Sequence, residues 1–172
     1  MEEKEIFKGK IFTLVQKEVE VNGFHTNRDI IHHPGGVGVL LVVDHKICFV
    51  SQFRHAIMQQ TLEIPAGKLE YGENPKECGL RELNEEAGYE ADDLELIFAF
   101  VSTPGFCDEK IWIYKAIQPK VTNHRLDLDE DEDIELCWID IDEAYQKCMN
   151  GEIIDAKTIL AIQHAKMEER ER

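Results

Sequence analysis

Between Gly67 and Gly88 the chain sets glutamates and one arginine at spacings suited to chemistry on phosphate. Gly67 is followed after five residues by Glu73, and seven more lead to Arg81-Glu82-Leu83, Glu85-Glu86 and Gly88. On a helix, Glu82, Glu85 and Glu86 stand at i, i+3 and i+4 and share one face. Like charges so placed repel by about a few tenths of a kcal/mol for each close pair. A cation relieves that repulsion, and hard divalent ions such as Mg2+ select carboxylate oxygens. Arg81, four residues before Glu85, can hold that carboxylate in place. The plainer alternative is a solvated acidic face, which a chain this acidic could well carry.

The elements that must position these groups are legible on either side. Asn74-Pro75 reads as a cap followed by proline at the first helical position, and Gly88 as the helix stop, so a helix is expected over residues 74–87. Leu80, Leu83 and Ala87 lie roughly opposite the glutamates and suit packing on a sheet. Val37–Val43 is a near-continuous apolar run, expected as a strand buried on both faces. After the Asp44-His45 turn come candidate strands at Ile47–Gln52, Thr61–Ile64, the segment after Gly67, Leu94–Val101, Lys110–Ile117 and Ile134–Ile139. Asp140 and Glu143 make a capping box for a short helix to Met149, stopped at Asn150-Gly151. A last helix opens at Asp155, turns Ile159, Ile162 and Ala165 toward a core, and ends in a charged run expected to fray. Before all this, Ile11–Val21 and Phe24–Ile31 form two strands about the hairpin turn Asn22-Gly23. So short a ribbon buries too little to stand alone. The expected organisation is an N-terminal antiparallel ribbon within residues 1–33 and a main domain over residues 34–172. Its class is α+β, a mixed sheet in an α/β/α sandwich.

The chain has 172 residues, enough for one full core, and 19 Lys plus Arg against 35 Asp plus Glu give a formal net charge of −16. Such a surface repels nucleic-acid polymers and anionic membranes, so neither is expected as a partner. A phosphate substrate would be repelled too, unless metal ions invert the local field. No apolar run follows Met1-Glu2-Glu3-Lys4, and no stretch approaches the roughly 18 apolar residues that span a bilayer. The five cysteines, Cys48, Cys78, Cys107, Cys137 and Cys148, are odd in number and lack CxxC spacing. They read as reduced thiols of a cytoplasmic protein, with Cys107 set apart by its place in a loop motif. His32-His33 adjoins a turn and reads as surface or turn structure.

The spacing from Gly67 to Gly88 resembles the signature of the Nudix hydrolases, G-x5-E-x7-R-E-U-x-E-E-x-G-U with U aliphatic. Every fixed position matches, and only the last aliphatic departs, at Tyr89. Gln52-Phe53-Arg54, Glu63-Ile64-Pro65-Ala66-Gly67 and Ser102 to Glu109, with Pro104 about fifteen residues beyond the box, are similar to the ADP-ribose pyrophosphatase branch. So are Asn27-Arg28-Asp29, Asp129 to Ile134 and Asp155-Ala156-Lys157-Thr158. The resemblance implies a Nudix-type sandwich and hydrolysis of ADP-ribose to AMP and ribose 5-phosphate, with another nucleoside diphosphate sugar or a dinucleoside polyphosphate as the alternative. A remoter alternative is a silent nucleotide sensor.

Carried over residue by residue, it implies metal ligation by Glu82, Glu86, the Ala66 carbonyl and Glu132, with Glu85 a further ligand or an orienting carboxylate beside Arg81. Two or three Mg2+ are implied, with Mn2+ able to substitute. Substrate contacts are implied for Arg28, Asp29, Arg54 and Glu109, with Arg28 and Arg54 open to the reading of structural ion-pair partners. The general base is implied at Glu130, with Glu109 and Glu85 as alternatives. The family's ribbon commonly exchanges between two subunits, which implies a homodimer. Where some relatives stack adenine on an aromatic of the first ribbon strand, this chain has Lys10-Ile11, with Phe7 or Phe12 nearby.

Overall fold

The computed structural model describes residues 3–127 and 134–171. Glu130 and Glu132 lie outside the described residues. The N-terminal part is a three-stranded antiparallel sheet, β1 (Glu3–Lys8), β2 (Thr13–Val21) and β3 (Phe24–His32), in that order. The Asn22-Gly23 hairpin forms as expected, with both residues at positive φ. The strand at Glu3–Lys8 is additional to the two expected. Expected from Ile11, β2 instead starts at Thr13, because Gly9 N–H donates to the Phe12 carbonyl at 2.9 Å and closes a turn there.

The apolar run after Gly35 divides between two sheets. It supplies β4 (Gly36–Leu40) to one and β5 (Val42–Val43) to another, instead of one strand through Val43. Then follow β6 (Lys46–Arg54), β7 (Gln59–Glu63), β8 (Ala66–Lys68), α1 (Pro75–Ala87), β9 (Tyr89–Glu90), β10 (Asp93–Val101), β11 (Lys110–Ile117), β12 (Lys120–Val121), β13 (Ile134–Asp140), α2 (Ile141–Met149) and α3 (Ala156–Glu171). One sheet runs β10-β11-β4-β8 and is mixed, since β11 pairs with β4 in parallel and the other pairs are antiparallel. The other runs β13-β6-β5, with β7 also paired to β6.

Alternation along β4 explains why the sandwich has two cores. Val37 and Val39, with Leu41 beyond the strand, pack with Cys78, Leu83 and Ala87 of α1. Leu40 packs with Phe49 and Ile64 against Ala144 of α2 and Ala161, Ile162 and Ala165 of α3. Each large aliphatic buried this way contributes about 1.5–3 kcal/mol. Helices therefore cover both sides of the strands, the α/β/α sandwich expected.

The charged end of α3 does not hang in solvent as expected. Lys166 pairs with Asp142, Glu168 with Lys115 at 2.5 Å, and Glu169 with His45 at 2.6 Å. These contacts tie the last turns to α2, β11 and the β5–β6 turn. No helix among the described residues is long and apolar enough to cross a membrane.

Candidate active site

Helix α1 is fixed at both ends before it presents any carboxylate. Asn74 Oδ1 accepts from Lys76 N–H at 2.9 Å, Pro75 opens the helix, and Gly88 ends it in the left-handed conformation at φ 68°. Arg125 adds a cation at that end, donating from Nε to the Glu85 carbonyl at 3.1 Å and from Nη2 to the Glu86 carbonyl at 2.7 Å. Asn84 accepts from Leu126 N–H at 2.8 Å and donates to Thr122 Oγ1 at 3.1 Å. The segment that leads toward Glu130 and Glu132 is thus bound to the glutamate helix. Neither Arg125 nor Asn84 was singled out from the sequence.

On the face toward β8, Glu82 is 5% exposed and Glu86 2%, and Glu86 Oε2 accepts from Ala66 N–H at 2.7 Å. Glu82 lies directly over Gly67. A Cβ added there would stand 1.7 Å from Glu82 Oε1, so only glycine leaves the carboxylate its place. Arg81 joins the group, with Nη1 at 2.7 Å from both Glu82 Oε1 and Glu85 Oε2 and Nε at 3.5 Å from Glu73 Oε1. Glu73 Oε2 in turn accepts from Glu70 N–H at 2.9 Å and shapes the loop before the helix. Burial works against the Arg81 charge, but Glu82, Cys78 and Glu85 outweigh it and raise its pKa.

Arg81, Glu82, Glu85 and Glu86 line a cleft of about 1000 Å³ together with Ala66, Arg54 and Glu109. Seven of the expected site residues, Ala66, Arg81, Glu82, Glu85, Glu86, Arg54 and Glu109, therefore meet in one place. Glu109 Oε2 accepts from Ser102 Oγ at 2.6 Å. The loop bearing it docks on β3, where Ile31 N–H donates to the Phe106 carbonyl at 2.7 Å and His33 N–H to Asp108 Oδ1 at 2.8 Å. Arg28 and Asp29 are not brought to this cleft. They sit exposed on β3, Arg28 opposite Lys17 and Asp29 accepting from Gln16 Nε2 at 3.1 Å. His33, read from sequence as turn or surface, lines the cleft, and so does Lys157.

The far wall holds an ion cluster around the buried Glu63. Arg54 donates from Nε and Nη2 to the two oxygens of Glu63, each at 2.7 Å, and Lys157 also donates to Glu63. Burial alone would push the Glu63 carboxyl up, but Arg54 and Lys157 outweigh it and hold it at about 2, below its ordinary 4.5. A depressed carboxylate stabilises the fold above its unfolded pKa and loses that contribution as pH falls through the folded one. Roughly 3 kcal/mol of stability should therefore disappear between about pH 4.5 and pH 2. Thermal unfolding against pH checks this: Glu63→Gln should unfold at lower temperature at pH 7, by about 3–5 kcal/mol in stability, and lose much of the wild type's acid dependence.

Burial pushes the Cys78 thiol up to about 12, away from the thiolate form a nucleophile needs. A separate surface cluster of His45, Asp140 and Asp142 has Lys166 on Asp142 and stands outside the cleft. The donor set of the glutamate face is all oxygen, largely buried and seated on a backbone cradle at Ala66-Gly67. It fits a hard divalent cation.

The sequence matches the NUDIX domain family over residues 32–162. It is 43% identical over 168 residues to the ADP-ribose pyrophosphatase of Bacillus subtilis (strain 168), covering 96% of this chain and 91% of that protein. It is 40% identical over 168 residues to the methanol dehydrogenase activator of Bacillus methanolicus, with the same coverage, 96% and 91%. A crystal structure of an ADP compounds hydrolase superposes with a TM-score of 0.82 at 18% identity, over 99% of this chain and 94% of the other, which supports the fold.

Proposed function

This chain belongs to the NUDIX family, and from that premise we propose that it hydrolyses the pyrophosphate of ADP-ribose to AMP and ribose 5-phosphate with Mg2+. The observation that carries the reading is the buried pair Glu82 and Glu86 seated on Ala66-Gly67, facing a cleft whose far wall carries Arg54. In this reading Glu82, Glu86, the Ala66 carbonyl and Glu132 hold two or three Mg2+, with Glu85 as a further ligand or orienting group. Mn2+ substitutes for Mg2+. Bound there, the cations would neutralise the pyrophosphate and activate the attacking water.

The remaining work falls to the chain's own residues. Arg81 keeps Glu82 and Glu85 apart from each other's charge and fixed in direction. Arg54 receives the substrate through the part of its guanidinium that Glu63 does not occupy. Glu109, held by Ser102, contacts the terminal ribose. Glu130 takes the proton of the attacking water, with Glu109 and Glu85 as alternatives. Arg28 and Asp29 reach substrate only from a second copy. The N-terminal sheet supports that arrangement, since Ile6, Phe7 and Phe24 are exposed on it. A homodimer in the cytoplasm completes the proposal, with all five cysteines as free thiols.

The test is a substrate panel. Purified protein with Mg2+ is given ADP-ribose, ADP-glucose, GDP-mannose, NADH and diadenosine polyphosphates, and products are separated by chromatography. ADP-ribose should be cleaved with the highest kcat/KM. Preference for another compound would keep the metal chemistry and discard the ADP-ribose pocket. The 40% identity to the Bacillus methanolicus activator supports a second reading, activation of a dehydrogenase. Adding the chain to a methanol dehydrogenase assay separates the two.

A further inference from the structure

The ladder between β6 and β7 pairs Gln52 with Thr61 and Val50 with Glu63. Side chains alternate along each strand, so Gln52, Arg54, Thr61 and Glu63 share one face. Arg54 lies back along that face to reach Glu63, which pairs with Val50 four rungs along the ladder. The Glu63 carboxylate accepts four hydrogen bonds: Oε1 from Arg54 Nε and Thr61 Oγ1, each at 2.7 Å, and Oε2 from Arg54 Nη2 at 2.7 Å and from Lys157. Four bonds use all the lone pairs a carboxylate offers, so its plane cannot turn without losing one.

Lys157 comes from a firmly seated base. In the first turn of α3, Thr158 Oγ1 accepts from Ile64 N–H at 2.9 Å and donates to Asp155 Oδ2 at 2.5 Å, and Lys157 Nζ lies 3.0 Å from Asp155 Oδ2. The first turn of α3 is thereby fastened to the bend between β7 and β8. Arg54 grips Glu63 side-on through Nε and Nη2, which leaves Nη1 to donate elsewhere.

We propose that Lys157 is a positioning residue for Arg54, acting through the carboxylate of Glu63, so that the guanidinium meets substrate already oriented. This rests on the reading of Arg54 as a substrate contact. Without Lys157 one lone pair of Glu63 is vacated, the carboxylate is held by three bonds instead of four, and more of the ordering of Arg54 falls to the substrate.

Steady-state kinetics on ADP-ribose are measured for wild type, Lys157→Met, Lys157→Gln, Arg54→Ala and the Lys157→Met/Arg54→Ala double variant. Each Lys157 variant should raise KM about fivefold to tenfold with kcat within about twofold, the mark of lost binding shared by ground and transition states. In the Arg54→Ala background Lys157→Met should raise KM no further, since a residue acting only through Arg54 cannot act without it. An unchanged KM, or a full rise that persists without Arg54, overturns the proposal. The Arg54 Nε–H resonance, followed by NMR without substrate, should shift or broaden in Lys157→Met. If wild type fails to turn over ADP-ribose, the functional reading falls alone, and an unmoved Arg54 resonance in Lys157→Met overturns this proposal.

Discussion

Glu86→Gln is expected to lower kcat for ADP-ribose by about 10^3-fold while the protein stays folded, because Glu86 is proposed as a cation ligand and losing one removes several kcal/mol of transition-state stabilisation. The substitution is chosen to separate charge from structure. Glu86 is 2% exposed and accepts from Ala66 N–H at 2.7 Å, and a glutamine oxygen can accept the same bond. The bond that seats residue 86 on the Ala66 backbone can therefore be kept while the negative charge is removed. Thermal unfolding with and without Mg2+ gives the companion reading. Wild type should be stabilised by the ion through mass action, and the variant much less. Full activity in Glu86→Gln would remove the glutamate face from the mechanism.

Gly67→Ala tests the same site through shape and leaves every charge in place. The new methyl group would stand 1.7 Å from Glu82 Oε1 and 1.9 Å from its Cδ, far inside van der Waals contact. Either the carboxylate leaves its place or the bend at Ala66-Gly67 opens. Misplacing a reacting group by about 1 Å costs on the order of 10^2-fold, and that loss in kcat/KM is the expected result. Because Gly67 bears no ionisable group, activity at the wild-type level would mean that the Glu82 position is not required. A parallel measurement of unfolding temperature distinguishes a displaced carboxylate from a damaged fold.

The parts of this arrangement that local physics determines were readable in the chain. Asn74-Pro75 and Gly88 set the limits of α1, and the i, i+3, i+4 spacing put the glutamates on one face. The hairpin at Asn22-Gly23, the Asp44-His45 turn and the cap at Asp140 formed as their residue types require. Where neighbours decide, the reading stopped short. Nothing in Val37–Val43 marks Leu41 as the crossing from one sheet to the other, because residues on both sides are equally apolar and only strand pairing separates them. The Glu3–Lys8 strand is exposed along its length and exists through its ladder with β2, not through a buried face. The charged end of α3 looked solvated because its partners Lys115, Asp142 and His45 are remote in sequence.

The site divides in the same way. The signature brought Arg81, Glu82, Glu85 and Glu86 together by helical periodicity alone. Ala66, which contributes backbone and no side-chain signal, was named only through family resemblance. Arg54 was read from its motif as meeting substrate or forming an ion pair, and its fork with Glu63 establishes the ion pair. The Lys157 contact that completes the cluster spans 94 residues, and although Asp155 to Thr158 reads as a motif, nothing local in it points to Glu63. Arg28 and Asp29 carry a different lesson, since a motif can mark residues that one chain alone does not bring to the cleft.

Water is expected to attack the pyrophosphate of ADP-ribose only when a divalent cation is bound. Running the reaction in H2(18)O with Mg2+, and again with excess chelator, and weighing both products by mass spectrometry follows that attack. AMP and ribose 5-phosphate should form in equal amounts, with one 18O atom in one product of each pair, and no reaction should occur in chelator. Products without the heavy atom, undiminished turnover in chelator, or no cleavage of ADP-ribose would contradict this expectation.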